Sequence, residues 1–448
     1  MIFQLDQKPA GAPAFIEADA GGTVSYGQLV ADVQGAAERL RRGGRRLAFL
    51  LAVNTAASLT AYLACLEAGL PVCLVEGGPE GVSTRMREAY RPELILEGVV
   101  PDRLAEGGEN AGALHPDLAL LLPTSGSTGS PKLVRLTRRN VEANAASIAD
   151  YLALHPCERA VQSLPAHYSY GLSVVNSHLL AGAAVVLTAH SFLKPEFWTA
   201  FRGYGCTSFA AVPFMYETLA RLRFQPAKYP ALKTMTQAGG RLKPELAREW
   251  HDKCAAFGAR FFVMYGQTEA TARISYVPPE RLAEKAGSVG VAIPGGTLAL
   301  QTVEDGMEEI VYRGPNVMLG YAEDRASLAL GDKMEGALHT GDLGRRDGDG
   351  FFYVTGRLKR FAKLFGSRVS LDDVEVHAES AWPVRAAAVE REGLLAVFIV
   401  PRGAVEEEEV KSGLAAHVGV PPVAVSVRML KELPLTSSGK KDYRSLPA

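Results

Sequence analysis

The chain has 448 residues, 47% of them hydrophobic and 22% charged, with a formal net charge of -1 at pH 7. That length predicts two or three domains, each able to bury a core, and the near-neutral balance without a basic stripe argues against nucleic acid as the main partner. Five cysteines (Cys65, Cys73, Cys157, Cys206, Cys254) form no C-x-x-C pair, the first residues show no basic segment followed by an apolar stretch, and no apolar run reaches the roughly 18 to 20 residues of a membrane span. The expectation is a cytoplasmic, enzyme-sized protein with reduced thiols.

Along the chain, residues 46–53 (RLAFLLAV) read as a buried strand, 58–68 as the helix after it, and 70–75 as the next strand. The pattern returns with a strand at 185–187, a helix at 197–204 and a strand at 208–212. Strand and helix in alternation imply βαβ units and largely parallel sheets, hence an α/β fold. After about residue 287 the texture changes to shorter strands, among them 309–312 and 350–354, with a turn signal at 345–350 (RRDGDG). From about residue 358 a final unit carries its own helix and strand pattern, which suits a small α+β domain. The acidic run 406–409 fits a solvated face or the first turn of a helix.

The apolar run 120–123 is followed by Thr124-Ser125-Gly126-Ser127-Thr128-Gly129-Ser130-Pro131-Lys132. Small residues let backbone N–H groups turn inward around an anion, hydroxyls add donors, and the lysine supplies charge. The Walker pattern cannot be matched. Read this way, the segment is a phosphate loop between a strand and a helix at 140–151. It resembles the phosphate-loop signature of the adenylate-forming superfamily of acyl-CoA synthetases, adenylation domains and luciferases. The resemblance continues in order: Thr23 to Leu29 is similar to the family's opening strand and turn, and Ala68-Gly69-Leu70-Pro71-Val72 to its early A-G-x-x-x-V segment.

Met264 to Thr271 (MYGQTEAT) resembles the family's Y-G-x-T-E motif. A tyrosine at a strand end offers a face for adenine, Thr268 a hydroxyl for phosphate, and Glu269 a hard oxygen for Mg²⁺. Tyr265 and Gly266 belong to the same nucleotide-binding set. Ala238-Gly239-Gly240 is similar to the paired glycines where the backbone approaches the adenylate. Thr340-Gly341-Asp342 resembles the T-G-D motif, whose aspartate accepts from ribose hydroxyls, and Gly356-Arg357 the motif whose arginine reaches the nucleotide.

Pro434 to Asp442 (PLTSSGKKD) resembles the C-terminal P-x-T-x-x-G-K loop and assigns the transition-state lysine to Lys440, with Lys441 one residue past the pattern. In the family the small domain turns about a hinge just after the Gly-Arg pair, which maps to Lys359. The resemblance therefore implies a large domain over 1–357, containing a β-rich subdomain at about 287–357, and a mobile α+β lid over 358–448. Residues 361–369 fit the strand and glycine turn that follow the hinge.

His167, Tyr168, Ser169 and Tyr170 occupy the place of the family's aromatic acyl-pocket motif, with Val212, Gly239 and Gly290 as further walls. Counting back from Leu179-Leu180-Ala181-Gly182 puts Ser169 where amino-acid-activating relatives carry an aspartate for the α-ammonium. A serine is a weak partner for a cation, which disfavours an ordinary α-amino acid. The phosphate loop begins earlier than is usual, so the N-terminal subdomain reads as trimmed, and no compact basic cluster presents itself for the 3′-phosphate of CoA.

The resemblance implies ATP, Mg²⁺ and a carboxylic acid as reactants, giving acyl-AMP and pyrophosphate. The acyl acceptor is then a thiol, from CoA or the phosphopantetheine arm of a carrier protein. The alternatives are an amine acceptor or a non-catalytic adenylate- or acyl-binding protein. The presence of both Lys440 and Glu269 speaks against the last.

Overall fold

The computed structural model describes residues 1–77, 82–101, 112–123, 132–303, 306–364, 367–391, 393–436 and 441–447. They group into two compact units, Met1–Leu298 with Tyr312–Leu338, and Ala299–Val311 with His339–Ala448.

The first unit is built on two mixed sheets. One has nine strands, in the spatial order Val291–Ala292, Ser275–Val277, Arg260–Tyr265, Thr234–Gln237, Ser208–Ala211, Arg159–Val161, Ala184–Leu187, Pro13–Glu17 and Gly22–Ser25. The six strands from Arg260–Tyr265 to Pro13–Glu17 pair in parallel, and the edges are antiparallel. The other sheet has six strands, running Gly320–Ala322, Leu133–Thr137, Leu118–Pro123, Val72–Glu76, Ala48–Ala52 and Leu94–Leu96. One apolar core joins Phe15, Val185 and Leu187 of the first sheet to Leu50, Leu120 and Leu136 of the second, through Leu59, Leu172, Val175 and Leu179 on helices between them.

Local chemistry sets the helix ends. The Thr55 hydroxyl accepts from the Ser58 N–H to start Ala56–Ala68, and Gly69 stops the helix in the left-handed region (φ 72°). Helix Ser169–Ala181 is buried continuously from Ser169 to Leu179, its polar Ser173, Asn176, Ser177 and His178 included.

These elements match the α/β fold expected from the sequence, with one difference. The expected phosphate loop does not lead straight into a helix. Strand Leu133–Thr137 intervenes and pairs antiparallel with Leu118–Pro123, so Pro123 and Leu133 lie opposite each other. The helix then starts at Arg138, where Thr137 and Asn140 close a capping box. Arg135 hides this strand from pattern reading. It is fully buried, and its guanidinium donates to the carbonyls of Leu319 (3.1 Å), Gly331 (3.1 Å) and Leu330.

The second unit holds Phe352–Arg357 and most of Glu308–Arg313 and Ala337–Arg346, strands of one four-stranded sheet. Hairpin Phe361–Leu364/Ser367–Ser370, helices Leu371–Ala381 and Glu407–Val418, and a three-stranded sheet follow. Val374, Ala378, Val397, Ile399, Val410 and Leu414 share its core. The acidic run indeed opens a helix, with Glu407, Glu408 and Glu409 in the first turn. No helix among the described residues is long and apolar enough to cross a membrane.

Candidate active site

Four parallel strands of the nine-stranded sheet end side by side. Ala211 is in register with Gln237, Gln237 with Val263, and Phe209 with Val161. Their carboxyl ends release Val212, Gly239 and Gly240, the Gly266–Glu269 turn, and the segment running to Ser169. An open parallel sheet binds ligands at this edge, because the connecting loops leave a crevice there.

Two motifs far apart in sequence meet at this edge. The buried hydroxyls of Ser169 and Thr268 share a hydrogen bond of 3.2 Å. Ser169 opens helix Ser169–Ala181 with Tyr168 at its N-cap. A Cβ added at Gly239, whose φ is +83°, would sit 2.5 Å from the Tyr168 hydroxyl oxygen and 3.2 Å from Val212 Cγ1. Tyr168, Val212 and Gly239 thus converge, and only glycine leaves room for them. Tyr170 turns the other way, donating from its hydroxyl to the Thr236 carbonyl at 2.9 Å. His167 is half-buried, its Nδ1 has no hydrogen-bond partner, and burial holds its pKa below the usual histidine value.

Tyr265 stands half-buried at the end of its strand and accepts from Gln267 Nε2 at 3.3 Å. A side chain at Gly266 would collide with the Ala272 carbonyl, and one at Gly290 with the Tyr276 carbonyl. Glycine at 290 is thereby explained by backbone packing. A side chain at Gly240 would press on Pro213 at 3.2 Å.

The sequence reading missed what holds the Thr268–Glu269 turn in place. Residues 316–321 run alongside it. Asn316 donates to the carbonyls of Ala270 (2.7 Å) and Arg273 (3.0 Å), and its own carbonyl accepts from the Thr271 hydroxyl at 2.7 Å. The Met318 N–H donates to the Glu269 carbonyl at 2.9 Å, and the Tyr321 hydroxyl to Glu269 Oε1 at 2.8 Å. Lys132, at the far end of the expected phosphate loop, holds its ammonium 3.6 Å from the centre of the Tyr321 ring. Also missed was Arg273, a buried guanidinium bonded to Tyr151, Ser173 and Met264 and lying over the Tyr170 ring. No local pattern marks these residues, because their partners lie far along the chain.

The donor set suits magnesium carried by a nucleotide. Among the described residues no group of three histidine, cysteine or acidic side chains could cage a metal alone, whereas Glu269 offers a half-buried carboxylate. Magnesium is commonly held by one or two carboxylates together with substrate phosphates and waters.

In the second unit Asp342 and Arg357 are cross-strand partners, with Arg357 Nε donating to Asp342 Oδ1 at 3.0 Å. Asp342 is buried and Arg357 exposed. Lys359 is exposed in the turn after Phe352–Arg357, and the next residue, Arg360, is tied to Glu375 at 2.6 Å and Asp372 at 2.7 Å. Lys441 pairs with Glu375 (2.7 Å) and Glu379 (3.3 Å) and is bridged to Leu435. Thr124, Ser125, Gly126, Ser127, Thr128, Gly129 and Lys440 lie outside the described residues.

Residues 86–322 match the family model described as AMP-binding enzyme. An oxalate–CoA ligase of Arabidopsis thaliana is 31% identical over 350 residues, covering 74% of this chain and 67% of its own. A feruloyl-CoA synthase of an Amycolatopsis species is 31% identical over a 467-residue alignment covering 94% and 93%. Among solved structures, the O-succinylbenzoate coenzyme A synthetase of Bacillus subtilis in complex with ATP and magnesium ion superposes with a TM-score of 0.78 at 25% identity, covering 99% of this chain and 98% of the other.

Proposed function

The chain belongs to the AMP-binding enzyme family and is an AMP-forming acid–thiol ligase, and on that premise we propose that it activates a carboxylic acid without an α-ammonium group and passes the acyl group to CoA. The observation that carries this reading is the Ser169–Thr268 pair, which joins the acyl-pocket segment to the nucleotide motif in one place. With a hydroxyl at Ser169 already engaged by Thr268, that position offers no carboxylate to an ammonium. The CoA ligases and synthetases among the relatives support CoA over a carrier-protein arm.

In the first half-reaction the acid's carboxylate oxygen attacks the α-phosphorus of ATP. The bond to the β-phosphate bridging oxygen breaks, giving acyl-AMP and pyrophosphate. Magnesium, when bound, would screen the phosphate charge. Thr124 to Gly129 and Lys132 hold the phosphates, Glu269 would hold the ion, and Thr268 offers its hydroxyl to phosphate. Tyr265, Gly239 and Gly240 bound the adenine and acyl sides, Asp342 takes the ribose hydroxyls, and Arg357 reaches the nucleotide. Lys440 stabilises the charge that develops in the transition state. In the second half-reaction the thiol sulfur attacks the acyl carbon, AMP leaves, and the thiol proton passes to solvent. The hinge reading at Lys359 lets one site serve both steps.

Pyrophosphate exchange across a panel of acids tests the first step, and acyl transfer to CoA against a phosphopantetheinylated carrier protein or an amine tests the second. Exchange with α-amino acids only, or transfer to a carrier but not to CoA, would refute this reading.

A further inference from the structure

Glu269 and Lys132 come from different sheets, yet one side chain touches both. Tyr321 sits in the short strand Gly320–Ala322, which pairs antiparallel with Leu133–Thr137 so that Tyr321 lies opposite Val134. That register places its ring beside the start of the neighbouring strand, where the Lys132 ammonium rests 3.6 Å from the ring centre. The hydroxyl at the far end of the same ring donates to Glu269 Oε1 at 2.8 Å. Three residues earlier, the Met318 N–H holds the Glu269 carbonyl at 2.9 Å, so backbone and side chain of Glu269 are gripped by one segment.

We propose that Tyr321 is a positioning residue for the nucleotide: its ring seats the Lys132 ammonium that meets the phosphates, and its hydroxyl fixes one carboxylate oxygen of Glu269 and leaves the other for the magnesium ion. The inference rests on the adenylation reading above. The two ends of the tyrosine do different work, which makes them separable. A cation over an aromatic face is held without losing its charge. A carboxylate with one oxygen fixed loses less freedom on binding a metal, the usual advantage of a second layer of hydrogen bonds around a metal ligand.

The test is equilibrium binding of ATP by isothermal titration calorimetry, first in EDTA and then at stepped Mg²⁺, with circular dichroism to check folding. In Tyr321→Phe the ring remains and the hydroxyl is lost. Metal-free affinity should stay at the wild-type value, while the Mg²⁺ concentration for half-maximal enhancement of binding rises roughly tenfold. In Tyr321→Leu the ring is lost too, and metal-free affinity should fall by roughly threefold to tenfold as well. Lys132→Met should reproduce that metal-free loss, and joining it to Tyr321→Leu should add nothing further. An unchanged Mg²⁺ requirement in Tyr321→Phe overturns the hydroxyl's part. Losses in Lys132→Met and Tyr321→Leu that simply add overturn the ring's part. Equal weakening with and without Mg²⁺ in both tyrosine variants reduces Tyr321 to scaffold. A wild-type protein that binds no ATP under any condition sinks the adenylation reading itself, a result distinct from all of these.

Discussion

Gly239 is where the proposed acyl pocket depends most on a missing atom. An alanine there meets the Tyr168 hydroxyl at 2.5 Å and must adopt a φ of +83°. The backbone strain is of order 1–2 kcal/mol and lowers stability. The collision displaces Tyr168 and should lower kcat/KM for the acid by about tenfold or more in pyrophosphate exchange. Adding Tyr168→Phe removes the oxygen that is struck, so the double variant should regain acid affinity while its melting temperature stays low. A single residue also sets an acid limit on stability. His178 is fully buried, its Nδ1 2.8 Å from the Val174 carbonyl and its Nε2 3.3 Å from Ser208 Oγ, and burial lowers its pKa to about 4 from 6.5. The unfolded chain therefore binds a proton that the folded chain refuses. Stability is fully present above pH 6.5 and declines as pH falls toward 4, by about 3 kcal/mol if this group acts alone. Melting temperatures of His178→Gln should fall less steeply than wild type over that window. Parallel slopes would show that other groups govern acid unfolding.

At the level of elements, an ion pair ties down the edge strand Leu94–Leu96. Arg325 grips Glu93 with two bonds of 2.9 and 2.7 Å, both side chains are buried, and Glu93 Oε2 also accepts from the Leu47 N–H at 2.8 Å. Arg325→Met leaves a buried carboxylate uncompensated and should cost about 3–5 kcal/mol in urea unfolding, whereas adding Glu93→Gln should restore part of the loss. A double variant no more stable than Arg325→Met alone would count against this account. The sheet elements were legible wherever apolar runs were continuous: residues 46–53 became strand Ala48–Ala52, and 208–212 became Ser208–Ala211. Boundaries moved where a side chain outside the apolar pattern makes the cap, as Thr55 does for Ala56–Ala68. Strand Leu133–Thr137 escaped because Arg135 interrupts it with a charge that only carbonyls from residues 319–331 can satisfy. Motif order pointed to Tyr265, Thr268 and Glu269, and Thr268 lies beside Ser169 at the sheet edge. Tyr321, Asn316 and Arg273 were invisible because their significance is a matter of distant partners, among them Glu269, Ala270 and Tyr151, which lie 52, 46 and 122 positions away respectively.

For the molecule as a whole, the two adjacent lysines Lys440 and Lys441 carry different assignments, a proposed catalytic role for the first and an architectural one for the second. The expected site residues are divided between the compact units, Tyr265, Thr268 and Glu269 in one, Asp342 and Arg357 in the other, the latter also containing the sequence position of Lys440. Lys441 is committed to structure. Its ammonium is shared by Glu375 and Glu379, Glu375 is shared in turn with Arg360, and the Asp442 N–H donates to the Pro434 carbonyl at 2.9 Å. The same helix, Leu371–Ala381, thus anchors both the residue after the proposed hinge and the residue after the proposed catalytic lysine. Lys441→Ala should therefore lower stability by about 1–3 kcal/mol and leave the ratio of the two half-reactions unchanged. Lys440→Ala should leave the melting temperature near wild type and reduce acyl-AMP formation by roughly a hundredfold or more. Its thioester formation from synthetic acyl-AMP and CoA should stay within a few-fold of wild type, since the charge it stabilises belongs to the first step alone. Measuring both half-reactions in both variants makes the assignment decisive. If Lys440→Ala slowed the two steps equally, the lysine would be holding the site together rather than acting in adenylation, and the proposed turn about Lys359 would lose its purpose.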